Sequence, residues 1–119
     1  MKKTLIIGAS TNPSRYSNMA AKRLVEHGNQ IEQIGSREGE VEGNKISTSK
    51  LSLQNIDTVT LYINPTIQKQ YYDYILSLKP KRIIFNPGTE NMELQELAKQ
   101  NNIETIEACT LVMLSVGNF

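Results

Sequence analysis

Short apolar runs alternate with helical patterns along the whole chain, and that alternation leaves few folds open. Thr4 to Ile7 is a β-branched-rich run closed by Gly8, the pattern of a buried central strand. From Ser17 the period changes. Met19, Ala20, Leu24 and Val25 fall on one face at helical spacing, with Lys22, Arg23 and Glu26 opposite and His27-Gly28 as a stop. Gln30 to Ile34 reads as a second strand, Asp57 to Ile63 as a third, Arg82 to Phe85 as a fourth and Ile103 to Ala108 as a fifth. Asn64-Pro65 supplies an N-cap and first-turn pair for a helix through Leu78, with Ile67, Tyr71, Ile75 and Leu78 as its buried stripe. Asn86-Pro87-Gly88 turns into a helix from about Asn91 to Gln100, with Leu94, Leu97 and Ala98 toward the sheet. Thr110 to Val116 is apolar enough for a terminal helix packed on the body or on a partner chain.

Parallel neighbours need crossover connections, and those crossovers are right-handed. The expectation is therefore an α/β fold: a doubly wound, parallel, five-stranded sheet with helices on both faces, forming a single domain over residues 1–119. The polar tract from Gly35 to Ser52 reads as a long loop with at most a short strand around Lys45 to Ser47.

Thirteen basic residues oppose twelve acidic ones, a net charge of +1 that gives no field to steer nucleic acid or an anionic membrane to the surface. One cysteine, Cys109, and one histidine, His27, exclude an intramolecular disulfide framework and a Cys/His zinc cluster within one chain. The first apolar stretch is too short for a signal peptide, and no segment approaches the roughly 18 apolar residues of a membrane span. A cytoplasmic protein is expected, with neither nucleic acid nor membrane as partner.

Ligands of an open parallel sheet bind outside the carboxyl ends of the strands, where strand order reverses. The stretch LIIGASTNPSRYSN, residues 5–18, occupies that position. Gly8 lets the chain turn, Ala9 and Ser10 keep the backbone approachable, and free amides in such a loop together with the positive end of the following helix suit a phosphate. Arg15 adds a charged fork. A plain strand-to-helix turn has the same composition. The stretch departs from the G-x-G-x-x-G dinucleotide fingerprint, since Ser10 and Pro13 stand where the second and third glycines belong. At the end of the second strand, where an NAD site carries an acid, the chain reads Ile34-Gly35-Ser36-Arg37. An arginine there favours a phosphorylated ribose, leaving NADP and coenzyme A as natural ligands; a solvated loop arginine is the plainer alternative.

These residues carry a resemblance. Gly8-Ala9-Ser10, Asn12-Pro13, Arg15 and Ser17 are similar to the G-A-S-x-[ND]-P-x-R first turn of the small bacterial CoA-binding proteins of Rossmann type, relatives of the CoA-binding domain that opens the succinyl-CoA synthetase α subunit. The resemblance implies coenzyme A or an acyl-CoA as ligand, with its pyrophosphate side on Ser10, Asn12, Pro13, Arg15, Tyr16 and Ser17. It also implies contributions from Gly35, Ser36 and Arg37, from Asn64 and Pro65, and from Gly88. The family's V-N-P after strand two is absent here, its aromatic-glutamine-glycine becomes Phe85-Asn86-Pro87-Gly88, and its Asp-Arg-Cys becomes Glu107-Ala108-Cys109.

No catalytic set emerges. His27 falls at the amino end of the sheet, Cys109 on the crevice side without a histidine beside it, and Glu90 and Glu107 have no spacing that marks an acid/base pair. Tyr71, Tyr72 and Tyr74 read as a helix packing face and its rim. The reading is a small-molecule nucleotide binder, of coenzyme A first and NADP second, without chemistry of its own. An NADP-dependent oxidoreductase and an interaction module with a vestigial nucleotide site are the alternatives. The apolar residues Leu111, Val112, Met113, Leu114 and Val116 suggest a homodimer.

Overall fold

The computed structural model describes residues 2–119. The elements, in chain order, are β1 (Thr4–Ala9), α1 (Tyr16–Glu26), β2 (Ile31–Gly35), β3 (Gly39–Val41), β4 (Asn44–Ser47) and β5 (Thr58–Leu61). They continue with α2 (Pro65–Gln68), α3 (Tyr72–Leu78), β6 (Arg82–Phe85), α4 (Met92–Gln100), β7 (Glu104–Glu107) and α5 (Thr110–Val116). The sheet order is β3-β4-β2-β1-β5-β6-β7. All neighbours pair in parallel except β3 with β4.

The sheet thus has seven strands where five were expected. The tract after β2 folds as a hairpin because Glu42 and Gly43 both take positive φ, 53° and 75°, which a tight two-residue turn requires. Val41 and Ile46, one on each arm, are buried at 4% and 3% exposure. Two inward apolar residues in a charged, glycine-rich run are a weak signal, and the hairpin is stable because β4 lies against β2.

The two faces of the sheet carry separate apolar clusters. Leu5, Ile7, Val59, Leu61, Ile83 and Phe85 pack with Ile75, Leu94 and Ala98 on the face covered by α3 and α4. Ile6, Ala9, Ile31 and Ile46 pack with Ala21, Leu24 and Leu114 on the face covered by α1 and α5. Consecutive residues of β1 feed opposite clusters, as the pleat dictates.

Three expectations about packing need correction. Met19 is exposed, because α1 turns Ser17, Ala20, Ala21 and Leu24 inward, a face offset from the one its apolar residues suggest. Ile67 also points outward. The helix after Asn64 is broken by a 3₁₀ turn, Lys69–Tyr71, although no Gly or Pro lies between 66 and 79. Gln68 is fully buried and its Nε2 donates to Ile63 O and Thr89 O, both at 2.8 Å. The helix breaks directly after that buried amide. Finally, Met113 and Leu114 belong to the chain's own interior, and of the apolar tail only Val112 and Val116 face fully outward. No helix among the described residues is long and apolar enough to cross a membrane.

Candidate functional site

The loop between β1 and α1 is shaped by two close approaches. Gly8 sits at φ +101°, and a Cβ there would lie 2.8 Å from Tyr62 O. The register between β1 and β2 shifts at this point, so Gly8 is a bulge and Ala9 pairs with Gly35. A Cβ on Gly35 would lie 2.4 Å from Ala9 O. Gly35 is therefore the residue that lets the end of β2 approach Ala9 at the end of β1, and Ser36 and Arg37 follow it in the chain.

Local hydrogen bonds then hold the loop. Asn12 Oδ1 accepts from Ser14 N at 3.0 Å and from Ser14 Oγ at 2.8 Å, while Asn12 N donates to Ser10 Oγ at 3.0 Å. This is an Asx turn, which asparagine forms readily. Arg15 occupies the N-cap of α1 in extended conformation, with no side-chain cap and no acid in the first turn. The first-turn amides of Tyr16 and Ser17 have no acceptor among the described residues. Thr11 through Tyr16 are exposed, and neither Arg15 nor Arg37 is in an ion pair among the described residues. Two free cations and two free amides therefore border one edge of the sheet.

The remaining sequence-derived residues lie along the same edge. Strand order reverses at β1, whose neighbours are β2 and β5. Asn64 and Pro65 follow β5, where Asn64 Oδ1 accepts from Ile67 N at 2.9 Å. Gly88 lies one strand further out, in the turn after β6, its N–H donating to Glu90 Oε1 at 2.9 Å. Glu90 and Glu107 are engaged separately, Glu107 Oε2 accepting from Gln95 Nε2 at 2.7 Å. His27 caps the far end of α1. Cys109, half-buried, caps α5 at the carboxyl edge. An open groove of about 520 Å³ lies along α4 and β7 and another of about 420 Å³ between α1 and α5, both away from the loop.

Several residues that build this edge escaped the sequence reading. Asn18 is 3% exposed, and its Nδ2 donates to Ser10 O at 2.9 Å, tying α1 to the loop. An asparagine at a helix position on the buried face was its only signal. Asn86, 2% exposed, donates through Nδ2 to Thr60 Oγ1 at 2.7 Å and Leu61 O at 2.9 Å, and accepts at Oδ1 from Thr110 N at 2.9 Å. It joins the ends of β5 and β6 to the start of α5. Asn91 Nδ2 donates to Gln68 Oε1 and to Tyr72 Oη, each at 2.8 Å, so the turns after β5 and β6 form one connected polar scaffold.

Tyr62, whose backbone meets Gly8, has a buried hydroxyl without a hydrogen-bond partner among the described residues. Burial pushes its phenol from 10.0 up to about 12; the Thr110 and Thr60 hydroxyls oppose this, without bonding to it within normal hydrogen-bond geometry, and negative charge on the Cys109 sulfur adds to it. The unfolded phenol ionises first, so the unfolded state holds fewer protons between these pH values and stability falls as pH rises through them. Urea unfolding at about pH 8 and about pH 11 is expected to show the wild type losing about 1.4 kcal/mol more than Tyr62→Phe on going to the higher pH. Parallel losses would mean that the phenol is not held protonated by the fold.

Residues 2–115 match the CoA binding domain family. The chain belongs to that family. A CoA-binding-domain chain of this size has solved counterparts. An uncharacterized protein of known crystal structure is 55% identical, with a TM-score of 0.97 over 100% of this chain and 98% of the other. A hypothetical protein from Pyrococcus horikoshii OT3 is 26% identical, with a TM-score of 0.88 over 97% of this chain and 82% of the other. Aspartate semialdehyde dehydrogenase II from Vibrio cholerae, at 10% identity and a TM-score of 0.55 over 98% of this chain and 45% of its own, shares the Rossmann-like fold alone. No curated protein matches.

Proposed function

We propose that this CoA-binding-domain protein binds coenzyme A or an acyl-CoA across the carboxyl edge of β2, β1, β5 and β6, in the cytoplasm, and performs no chemistry of its own. The observation that carries the reading is the uncapped start of α1. Free amides at Tyr16 and Ser17, with Arg15 beside them and no acid in the first turn, suit the pyrophosphate through both dipole and hydrogen bonds. Arg37, two residues after Gly35, suits the 3′-phosphate of the adenosine. Asn64, Pro65 and Gly88 border the path toward the pantetheine arm. The absence of chemistry is supported by the placement of His27 at the opposite end of α1 from the crevice, away from Cys109.

Arg15→Ala is expected to weaken CoA binding about 10- to 100-fold, the worth of one charge-assisted contact of roughly 1.5–3 kcal/mol, while leaving the thermal midpoint of the free protein unchanged. Arg37→Glu is expected to weaken CoA more than dephospho-CoA, which lacks the 3′-phosphate. Midpoints measured with excess CoA, acetyl-CoA, NADPH or NADH test the ligand class, since a ligand of the native state alone must raise them. A rise with NADPH but not CoA would replace this reading with a redox one.

A further inference from the structure

The β1–α1 loop is fastened to the rest of the protein at a second point, outside the pairing of the sheet. β3 stands beyond β2 and β4 from β1, yet the loop reaches it through Thr11. A Cβ on Gly39, the first residue of β3, would lie 2.4 Å from Thr11 Cγ2, so the threonine methyl fills the space that any side chain at position 39 would need. Thr11 is itself held, because Asn12 N donates across it to Ser10 Oγ at 3.0 Å. Residues 9–11 and 35–39 therefore meet at both ends, Ala9 against Gly35 and Thr11 against Gly39, and neither junction has room for a side chain on its glycine. Between the junctions runs a link of three exposed residues, Ser36, Arg37 and Glu38.

We propose that Gly39 is a positioning residue for this site: seated against the Thr11 methyl, it holds the link 36–38 beside the β1–α1 loop and so sets the preference for a ligand with a phosphate on its ribose over the same ligand without one. The inference rests on the coenzyme A reading and extends it to a residue that acts only through its neighbours. A link fastened at one end samples many backbone conformations, and ordering them on binding costs affinity; fastening the second end removes that cost beforehand. The orientation of the link matters as well as its freedom. Arg37 and Glu38 are adjacent and of opposite charge, and neither is in an ion pair among the described residues. Attraction or repulsion of a phosphate then depends on which of the two the link presents, and Gly39 fixes the chain directly after Glu38.

Isothermal titration calorimetry of the full chain with CoA and with dephospho-CoA tests this, read as the ratio of the two dissociation constants. The wild type is expected to favour CoA by about tenfold or more, the worth of one charge-assisted contact. Gly39→Ala is expected to lose most of that preference, because the new methyl meets the Thr11 methyl and drives the link off the loop. Thr11→Ser deletes the opposing methyl. Gly39→Ala combined with Thr11→Ser thus keeps one methyl at the junction, as in the wild type, and is expected to recover the wild-type ratio. A loss of stability alone would weaken both ligands equally and leave the ratio unmoved, and circular dichroism checks that each variant is folded. A wild-type ratio in Gly39→Ala, or a fallen ratio that Thr11→Ser does not restore, overturns the inference and leaves the coenzyme A reading standing, as does a wild type that binds the two compounds equally. A wild type that binds neither overturns both.

Discussion

Gly8→Ala is expected to lower the thermal midpoint by on the order of 10 °C and to abolish any rise on adding CoA. The two effects have one cause. At φ +101° an L side chain is strained, a cost of roughly 1–3 kcal/mol, and the new Cβ would sit 2.8 Å from Tyr62 O and 2.9 Å from Tyr62 C. Those are backbone atoms of the chain leaving β5, whose Tyr62 N–H donates to Ile7 O at 2.8 Å. Relief of the clash must separate β1 from the end of β5 or flatten the bulge, and either change moves Ala9 away from Gly35 and the loop away from Arg37. Calorimetry with and without CoA checks both parts. A variant that retains the wild-type midpoint would show that the bulge relaxes at no cost.

Asn86→Ala is expected to cost about 3 kcal/mol, read as a lower urea midpoint at unchanged slope. The truncation strips Thr110 N and Leu61 O of their partner, and each buried group left unpaired is worth about 1–3 kcal/mol. Thr60 and Thr110 keep their mutual hydrogen bond of 2.8 Å, which limits the damage. Because Asn86 holds the first amide of α5, hydrogen exchange at Thr110 and Met113 is expected to accelerate more than exchange in β1. Uniform acceleration would mean that Asn86 stabilises the whole fold rather than fastening α5 to it.

The parts of the protein that were legible in the sequence are those where one strong local signal decides the conformation. The apolar runs of β1, β5 and β6 are buried on both faces, so no register or partner could make them anything but central strands. Asn64-Pro65 is an N-cap pair whose chemistry is complete within four residues, as Asn64 Oδ1 accepting from Ile67 N shows. The Gly8 turn and the position of Arg15 at the head of α1 were read the same way. The short strand around Lys45 to Ser47 is legible and is β4, but β3 and its turn are not, because their stability comes from the rest of the sheet; nor is the exposure of Met19 and Ile67, because small and polar side chains, Ser17, Asn18, Ala20 and Ala21 on α1 and Gln68 on α2, take the buried positions.

The alternation of apolar runs with helical patterns by itself determined that the chain would form a parallel α/β sheet, because periodicity and handedness leave no other way to bury those runs. The tertiary structure alone decided how the carboxyl edge of that sheet is assembled. Asn18, Gln68, Asn86 and Asn91 carry no sequence mark of being buried, since an amide side chain is inside only where specific carbonyls and amides from distant strands converge to satisfy it. Gly35 likewise looks like any loop glycine until Ala9 is placed against it.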